Sequence, residues 1–443
     1  MAHRKFNHYI RCLLAAEINR FARYYKEILQ PAPLGHDDGE LLRLIENNNK
    51  TVKSDFNDIS DQADTDDSDR IVLLNGTLNY NEDIHELLQN LHPRLSRSDR
   101  VVAIVFNPYF RWLYPLANLL GLRDAAQPVT FVTKVGIENI ARATDYEIVR
   151  MRTSAYFPFK LFGIGNFINS AMAILPLVRW LAFATVIVLR PVKVARRLPS
   201  LSIVIPARNE AGNIEDALKR LPIMDGVDLE VLFVEGNSTD NTWEEINRVV
   251  NLDQYAQFNP KALQQAGKGK KDATITGFNA ATKQLVTVLD ADLTMPPEMV
   301  PRFYQAYCDG RANMINGNRL MYPMDNEAMR FLNRIGNIFF AKSLSLVLDL
   351  PLGDSLCGTK LFSRNDHHRM AAWLKDFGDF DPFGDFQMLF PAAELCLGSV
   401  DIPIRYGART YGSTNIHRFR DGLKLLKMTL QGLVKIRSGA FPK

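Results

Sequence analysis

The residues best suited to chemistry in this chain are two aspartates that follow an apolar run. Asp290 and Asp292 come directly after Leu285–Leu289, which reads as a short buried strand. Because side chains alternate along an extended chain, both carboxylates are expected to point the same way at the strand's carboxyl end. Two such oxygen ligands suit Mg²⁺ or Mn²⁺, which commonly share their ligand shell with substrate phosphates. An Asp-x-Asp pair by itself is also typical of a solvated loop.

Two similar segments precede this pair in the chain. Residues 201–205 and 229–234 are apolar runs of β type, and each is followed by polar residues that can cap a helix. Strands that alternate with helical stretches predict a mainly parallel sheet, whose ligands bind beyond the carboxyl ends of the strands. The three polar turns are therefore expected to converge on one crevice. Helix capping alone would not explain the charged residues that they share: Arg208, Glu210, Glu235, Asp290 and Asp292.

Residues from about 199 to 437 resemble a family 2 glycosyltransferase of the GT-A type, and most of all the polyprenyl-phosphate sugar transferases, whose best-known member is dolichol-phosphate mannose synthase. The matching segments are Ile205–Glu210, Val234–Asp240, Gly267–Asp272, Asp290–Asp292, Asn316–Arg319, Asp354–Lys360 and Arg409–Thr414. The resemblance implies an α/β fold and a metal-dependent, inverting transfer of a sugar. It also implies a nucleotide-sugar donor and a polyprenyl-phosphate or glycolipid acceptor.

The resemblance further assigns roles around the donor. It places Pro206, Arg208, Glu210, Glu235 and Asp240 around the base and ribose, Lys268 and Asp272 in a loop that closes on the nucleotide, and Asp290 and Asp292 on Mg²⁺ or Mn²⁺ beside the diphosphate. A divalent cation stabilises the negative charge that develops on a leaving diphosphate. Gly236 and Thr294 depart from the family pattern, where a second acidic residue and a glutamine are common. The identities of the sugar and the nucleotide are left open by these two differences.

The acceptor side is expected to include two arginines and one carboxylate. By the resemblance, Arg319 and Arg409 contact phosphate, and a guanidinium group can grip a phosphate with two parallel hydrogen bonds. Each of them, taken singly, could equally be a surface residue. Asp385 lies where the family places a general base, which a phosphate acceptor, already anionic, does not require.

The composition indicates a two-part protein without a nucleic-acid partner. The chain has 443 residues, and its net charge of +4 does not point to nucleic acid. Its four cysteines are scattered, which favours a reducing compartment. The charged residues within Met1–Glu17 argue against a secretory signal. We expect a cytoplasmic protein, peripherally associated with the cytoplasmic face of a membrane.

One apolar stretch, Phe167–Leu189, could be mistaken for a membrane span. Arg179 lies at its middle and Pro176 interrupts it, while Ala184–Leu189 is rich in β-branched residues. A charge at the centre of a bilayer costs roughly 3 kcal/mol on an insertion scale. We therefore predict a helix and a strand of a folded core, with a transmembrane helix as the alternative.

Residues 1–195 are predicted to form a separate domain before a glycosyltransferase domain at 196–443. Buried strands within Asp69–Tyr80 and Asp99–Asn107, about thirty residues apart with helical sequence between them, suit a βαβ unit. Together with a strand near Ile187 they resemble part of a Rossmann-like class I methyltransferase that uses S-adenosylmethionine. The best candidate for its Gly-rich turn, Leu34–Gly39, carries Asp37 where a central glycine is expected. This favours a degenerate, non-catalytic domain, with a working methyltransferase as the alternative.

The C-terminal stretch Phe419–Arg437 predicts an amphipathic helix with a basic side. Its apolar positions are Phe419, Leu423, Leu426, Leu430 and Leu433, and its basic positions are Arg420, Lys424, Lys427 and Lys435. Such a helix can lie on an anionic membrane or pack against the sheet with its lysines in water.

Three functions remain open from the sequence. The first is sugar transfer to a polyprenyl phosphate, and the second is transfer to a glycan or glycolipid hydroxyl in cell-surface polysaccharide synthesis, with Asp385 as the base. The third is a regulatory protein with relic nucleotide sites. The intact pair Asp290 and Asp292 argues against the third, and the arginines on the acceptor side favour the first.

Overall fold

A computed structural model of the chain describes residues 2–35, 37–60, 68–119, 126–322, 331–378, 381, 383–409, 411 and 418–439. Contacts divide the chain into two compact units. The first contains Met1–Lys193, Glu394–Gly398 and the segment that begins at Leu433, and the second contains Val194–Ala393 and Ser399–Gly432. The linear division at residue 195 stays a prediction, to which the contacts add two short segments from the far end of the chain.

The first unit is an α/β unit built on a sheet. Its strands are β1 (Glu27–Pro31), β2 (Lys50–Lys53), β3 (Arg70–Asn75), β4 (Arg100–Phe106), β5 (Tyr146–Ser154) and β6 (Ala184–Pro191). Its helices are α1 (Ala2–Ala22), α2 (Glu40–Leu44), α3 (Thr77–Tyr80), α4 (Ile84–Leu91), α5 (Leu113–Leu119), α6 (Lys134–Ala143) and α7 (Ile164–Ile174). The strand order is β2-β1-β3-β4-β6-β5, with β6 antiparallel to both of its neighbours. Strands β3 and β4 are parallel with α4 between them, so the predicted βαβ unit is confirmed.

Apolar residues cover both faces of this sheet. Along β3, Ile71 and Leu73 belong to one buried cluster, while Val72 and Leu74 belong to another. A strand whose side chains are buried on both faces reads as a continuous apolar run rather than an alternating one. The run Ile-Val-Leu-Leu in β3 therefore follows from helices packing on both sides of the sheet.

The stretch 167–189 folds as predicted from its sequence. Helix α7 ends at Ile174, a 3₁₀ segment spans Pro176–Leu181, and β6 begins at Ala184. Across the part of the chain that the structure describes, no helix combines the length and the apolar character that crossing a bilayer requires. The prediction of a helix followed by a strand is confirmed.

Buried arginines tie the distant segments into the first unit. The Arg150 guanidinium lies 3.0 Å from the Glu394 carboxylate, and Arg100 Nε donates to the Cys396 carbonyl at 2.7 Å. Arg20, which is half-buried, also donates to the Ser438 carbonyl at 2.7 Å. Buried guanidinium groups are costly unless they are paired and hydrogen-bonded. Some hydrogen-bond partners of the first unit's arginines therefore come from residues more than two hundred positions further along the chain.

The second unit contains the other sheet. Its strands are β7 (Leu201–Ala207), β8 (Leu229–Glu235), β9 (Pro260–Gln264), β10 (Leu285–Val288), β11 (Met314–Asn318), β12 (Lys360–Ser363) and β13 (Ser399–Pro403). Its helices are α8 (Ile214–Lys219), α9 (Thr242–Val250), α10 (Lys270–Ala280), α11 (Val300–Cys308), α12 (Phe331–Leu348), α13 (Arg364–Phe377), α14 (Phe386–Glu394) and α15 (Arg418–Gly432). A π-helical turn, Leu433–Arg437, follows α15.

The order of the second sheet is β13-β11-β12-β10-β7-β8-β9. Strand β7 pairs in parallel with β8 and β10, β8 with β9, and β11 with β13. Only β12, within the described residues, runs against its neighbours. The predicted mainly parallel sheet is confirmed, and the strands that precede the candidate site all end at one edge.

The apolar face predicted for the C-terminal helix is exposed in α15. The exposed fractions of Leu423 and Leu430 are 69% and 53%, whereas Leu425 and Met428 are buried. The helix packs against the protein, but on α12 rather than on the sheet, and contact with a membrane stays a prediction. Packing against α12 selects the neighbouring face of the helix instead. The Phe419 side chain lies outside the described residues.

A buried carboxylate connects four segments at the other edge of the second sheet. Glu230, in β8, accepts hydrogen bonds from Ser202 Oγ at 2.6 Å, Thr282 N at 2.6 Å and Lys261 Nζ at 2.9 Å. Burial alone would raise the pKa of Glu230, but these donors lower it to about 2. Several hydrogen bonds to the charged form favour ionisation even inside a protein.

This carboxylate is expected to make stability depend on pH. The pKa of Glu230 is about 2 in the folded chain and that of an unfolded glutamate is about 4.3. The ionised group therefore stabilises the fold at neutral pH by about 3 kcal/mol, and this contribution is lost as the pH falls from about 4.3 towards 2. We expect Glu230→Gln to lower the thermal midpoint at neutral pH and to flatten its decline in acid, as measured by calorimetry. Glu245→Gln, at an exposed pair with Arg248, is the control; an unchanged acid decline in Glu230→Gln would contradict the assignment.

Candidate active site

The candidate site lies at the edge of the second sheet where its parallel strands end. Strands β7, β8 and β10 are adjacent and parallel, so the turns that follow them share this edge. Strands β11 and β13 end at the same edge, because β12 is antiparallel to both β10 and β11. The convergence of the three predicted turns is thereby explained by the sheet topology.

Asp290 is paired with a lysine that precedes it in the chain. Lys270 Nζ, at the start of α10, lies 2.5 Å from Asp290 Oδ1. Burial alone would raise the pKa of Asp290, but Lys270, with smaller contributions from Arg319 and Lys360, holds it below its ordinary value. A Cβ added at Gly358 would lie 2.7 Å from Asp290 Oδ2, so a larger residue there would displace this pair.

Asp292 is oriented by its own turn and paired with Arg409. The backbone N and Oγ1 of Thr294 donate to Asp292 Oδ1, at 3.1 Å and 2.8 Å. Arg409 Nη2 donates to the other oxygen, Oδ2, at 2.6 Å. Arg409 Nη1 also donates to Glu210 Oε1 at 3.1 Å. One guanidinium group therefore bridges a predicted metal ligand and a predicted donor-site residue.

Glu210 is held on its other side as well. Asn213 Nδ2 donates to Glu210 Oε2 at 2.7 Å. Burial raises the pKa of Glu210 above its ordinary value, although Arg409 and Asn213 oppose that rise. The Glu210 carboxylate is positioned by contacts from two separate segments, which fixes its direction at the end of β7.

The turns after β7 and β8 are joined closely. Asn209 N donates to Ser238 Oγ at 3.0 Å, and Thr239 N donates to Asn209 Oδ1 at 2.8 Å. Gly236 N donates to the Ala207 carbonyl, and a Cβ at Gly236 would lie 3.2 Å from that carbonyl oxygen. A side chain at position 236 would therefore lie tightly against the end of β7.

Three of the predicted donor-site carboxylates hydrogen-bond within their own loops. Glu235 Oε1 accepts from Ser238 N at 2.5 Å, and Asp240 Oδ1 accepts from Thr242 N at 3.1 Å at the start of α9. Asp272 Oδ2 accepts from Gly267 N at 2.8 Å. Three predicted donor residues remain, and within the described chain none of them makes a side-chain pair with Arg409, Asp292 or Glu210. Pro206 lies near the end of β7, Arg208 follows that strand, and Lys268 lies in the 267–272 loop.

Arg319, predicted to contact the acceptor phosphate, is held by a buried aspartate. Arg319 Nε and Nη2 donate to Asp354 Oδ2 and Oδ1, at 2.6 Å and 2.9 Å. The Tyr406 ring lies 5.4 Å from the guanidinium carbon. Burial alone would raise the pKa of Asp354, and Arg319 holds it below its ordinary value. The structure does not bring Arg319 and Arg409 together in one ion-pair cluster.

Asp385, the predicted base, lies beside a buried lysine. Lys360 Nζ is 3.5 Å from Asp385 Oδ1 and also donates to the Cys357 carbonyl. The preceding loop is fixed by Asp381, whose carboxylate accepts from the backbone N atoms of Phe383, Phe386 and Gln387. Asp385 is therefore presented at the start of α14 by a loop with its own internal bonds.

The donor set suits a divalent cation with ligands from outside the protein. In the described residues, no three aspartate, glutamate, histidine or cysteine side chains form a metal cluster. Asp290 and Asp292 offer hard oxygen ligands, and each already contacts a cationic side chain. Mg²⁺ is commonly bound by one or two carboxylates together with phosphates and water. The two aspartates fit such an ion, which would replace Lys270 or Arg409 at their oxygens.

Sequence reasoning missed several residues that build this site. Lys270, Asp354 and Lys360 lie inside segments that carried the resemblance, but they were not predicted to pair with Asp290, Arg319 and Asp385. The available signal was charge: each of the three is opposite in charge to the predicted site residue that it pairs with. The direction of Arg409 towards the donor side had no local signal, because its partners are 117 and 199 residues away.

Comparison with known proteins agrees with the predicted family. Residues 202–370 match the family described as glycosyl transferase family 2. A dolichol-phosphate mannosyltransferase of Pyrococcus furiosus is 31% identical over 112 residues, which are 25% of this chain and 30% of that protein. A dolichyl-phosphate hexose transferase of Haloferax volcanii is 26% identical over 227 residues, which are 51% of this chain and 91% of that protein.

Among solved structures, a glucosyl-3-phosphoglycerate synthase from Mycobacterium tuberculosis, in complex with Mn²⁺, UDP and glucosyl-3-phosphoglycerate, is similar to part of the chain. Its sequence identity is 19% and its TM-score is 0.37, with 54% of this chain and 81% of that chain covered.

Residues 202–370 thus match a family 2 glycosyltransferase domain, with sequence similarity to dolichol-phosphate mannosyltransferases. The predicted α/β class is confirmed by the sheet and helices of the second unit, and its GT-A type stays a prediction. The methyltransferase-like identity of the N-terminal part and the role of each site residue stay predictions.

Proposed function

We propose that the family 2 domain transfers a sugar from a nucleotide-sugar donor to a polyprenyl phosphate, with Mg²⁺ or Mn²⁺, at the cytoplasmic face of a membrane. The observation that carries the proposal is the pair Asp290 and Asp292 at the carboxyl end of β10, each held against a cationic side chain. Two relatives that match this domain are named for dolichol-phosphate or dolichyl-phosphate transfer, which supports a lipid-phosphate acceptor.

In this proposal, some side chains of the site bind the donor and others bind the acceptor. Asp290 and Asp292 would hold the metal, which neutralises charge on the diphosphate as the sugar–phosphate bond breaks. Glu210 is fixed at the end of β7 and borders the nucleoside part of the donor. An oxygen of the acceptor phosphate attacks the anomeric carbon, and the nucleoside diphosphate leaves. Because that oxygen is already anionic, Asp385 positions the acceptor rather than removing a proton.

Arg409 has two successive roles in this proposal. Without ligands it neutralises Asp292 and Glu210. Asp292 would hold a divalent ion that supplies positive charge in place of Arg409, and the Arg409 guanidinium would then be free to turn away from Asp292. A released guanidinium beside the reacting centre can then bind the acceptor phosphate through paired hydrogen bonds.

Exposed apolar side chains on two helices support work at a membrane surface. On α15 these are Leu423, Leu426 and Leu430, and on α12, which packs against α15, they include Ile335 and Phe339. Such faces can enter the boundary between lipid headgroups and acyl chains, where a polyprenyl phosphate is anchored.

For the first unit we infer a degenerate methyltransferase-like domain without catalysis, with the domain division near residue 195. Ligands of such α/β sheets bind at the carboxyl ends of the strands. At the ends of β1 and β3, Asp37 Oδ2 instead accepts hydrogen bonds from Gln30 at 2.5 Å and Asn75 at 3.0 Å. The Asp37 carboxylate thus occupies the Gln30 and Asn75 amide groups at the place where a ligand would be expected.

The metal assignment predicts the effect of one isosteric change. Asp292→Asn retains the side-chain volume and removes an anionic ligand, so turnover is expected to fall by about a hundredfold or more. Asp290→Asn is expected to behave alike, and EDTA should abolish the activity of the unaltered protein. Radiolabelled sugar transfer to a polyprenyl phosphate would measure this. Full turnover in EDTA would refute the metal assignment.

The nature of the acceptor predicts a ranking of two variants. Arg409→Ala is expected to raise KM for the lipid phosphate at least about tenfold without weakening Mn²⁺ binding, because its guanidinium competes with the metal at Asp292. Asp385→Asn should be milder. Steady-state kinetics and Mn²⁺ titration by electron paramagnetic resonance measure both effects, with Arg220→Gln as a surface control. An indispensable Asp385 with a dispensable Arg409 would instead indicate a hydroxyl acceptor, since base catalysis typically contributes about 10²–10⁴-fold.

Membrane contact predicts vesicle binding that depends on α15. The protein is expected to sediment with anionic vesicles at low ionic strength, and high salt should weaken this, because salt screens surface charges within about 10 Å. Leu423→Asp with Leu430→Asp should abolish sedimentation, since burying one leucine contributes about 1.5–3 kcal/mol. Ile223→Asp, at another exposed apolar residue of the same unit, is the matched control. Equal loss in the control would argue against a specific docking face.

A further inference from the structure

The two arginines expected to bind the acceptor phosphate are both occupied in this structure. Arg319 makes two hydrogen bonds to the buried Asp354 carboxylate. Arg409 bridges Asp292 and Glu210. Breaking a buried ion pair by removing one partner is strongly unfavourable, so Arg319 is expected to keep its aspartate. Release of Arg409 alone would leave one guanidinium for a phosphate dianion.

Two other arginines of the second unit line a cavity. Arg302 from α11 and Arg405 after β13 border a cavity of about 420 Å³, together with Tyr322 and Met299. Within the chain segments that the structure describes, neither arginine forms an ion pair or a side-chain hydrogen bond. The cavity therefore carries two positive charges and a phenol hydroxyl, and no described carboxylate lines it.

This cavity lies next to the acceptor side of the candidate site. Ile404 N, adjacent to Arg405, donates to the Asn318 carbonyl at 3.0 Å, at the end of β11. Gly407 N donates to the Thr294 carbonyl at 2.9 Å, and Thr294 orients the predicted metal ligand of the same turn. The segment that carries Arg405 thus contacts both the acceptor-side strand and the metal-binding turn through its backbone.

Two guanidinium groups that border one cavity repel each other unless an anion lies between them. A single exposed arginine is ordinary on a protein surface, but two without partners around a cavity of this size offer several N–H donors to one ligand. A phosphate monoester has up to two negative charges and three acceptor oxygens, which match these donors and the Tyr322 hydroxyl.

We propose that Arg302, Arg405 and Tyr322 form a binding site for the phosphate group of the acceptor. The inference rests on the proposed function and specifies which residues recognise the acceptor. It assigns the first capture of the phosphate to this cavity and leaves Arg409 to act after metal and donor have displaced it. The ligand class is a phosphate monoester on an extended apolar chain.

The test uses the full chain and farnesyl phosphate as the acceptor probe. Calorimetry is expected to give a dissociation constant about tenfold higher for Arg302→Gln and for Arg405→Gln, and higher still for the double variant, as expected for loss of charged hydrogen bonds. Tyr322→Phe should show a smaller loss. In steady-state assays KM for farnesyl phosphate should rise while kcat stays within about threefold, the pattern of lost ground-state binding.

Matched controls separate this site from general charge effects. Arg248→Gln removes one exposed arginine that is paired with Glu215 and Glu245, and it should bind farnesyl phosphate as the unaltered protein does. Unchanged binding in both cavity variants, or equal loss in Arg248→Gln, would overturn the proposal. Loss of UDP or GDP binding in place of farnesyl phosphate binding would assign the cavity to the donor and overturn it equally.

Two further arms distinguish the sources of a phosphate group. If the cavity variants lose only sedimentation with phosphatidic acid vesicles and retain farnesyl phosphate binding, the cavity binds lipid headgroups and the proposal fails. If the unaltered protein transfers no sugar to farnesyl phosphate, the proposed function fails. In that case, binding of inorganic phosphate by the unaltered protein and its loss in the double variant would still support the cavity as a phosphate site.

Discussion

Two carboxylates on one turn repel each other, and the chain balances each of them with a basic side chain from another segment. Asp290 is paired with Lys270 of α10, and Asp292 is paired with Arg409. These pairs join the segments that follow β7, β10 and β13, because Arg409 also contacts Glu210. In the proposed reaction, a metal ion and a diphosphate would take over the same balance of charge. The ligand-free fold is thus stabilised by interactions that ligands can replace.

The carboxylates at the two edges of the second sheet have different surroundings. At the edge away from the site, Glu230 is fully buried and accepts hydrogen bonds from Ser202, Lys261 and Thr282. At the site edge, Asp290 and Asp292 each pair with a basic side chain, and Thr294 also donates to Asp292. Arg409 remains partly exposed. A network with every group satisfied is rigid, whereas an ion pair open to water exchanges its partners at low cost. Glu230, which accepts from three segments, is therefore held more rigidly than the ion pair of Asp292 with Arg409, which is partly open to water.

The chain order of the two units also has a physical consequence. Glu394 and the carbonyl groups of Cys396 and Ser438 satisfy buried arginines of the first unit, although the second unit's strands lie between them in sequence. An arginine buried without such partners would be strongly destabilising. The first unit therefore depends on the chain being complete beyond the second sheet, and a cut near residue 195 would remove those partners.

The sequence by itself indicated β3, β4, β6, β7, β8 and β10, the mainly parallel sheet and the position of the Asp290–Asp292 pair, because apolar runs, alternation and turn residues act over a few neighbouring positions. It did not indicate strands such as β2 and β9, which are short and carry few buried residues. It also indicated the family through short segments in a fixed order. Only the tertiary structure decided which charged side chains pair, Arg409 with Asp292 and Arg319 with Asp354. It also decided which face of α15 is buried. Those choices depend on which distant surfaces pack together, and no local pattern encodes the distance between residues far apart in the chain.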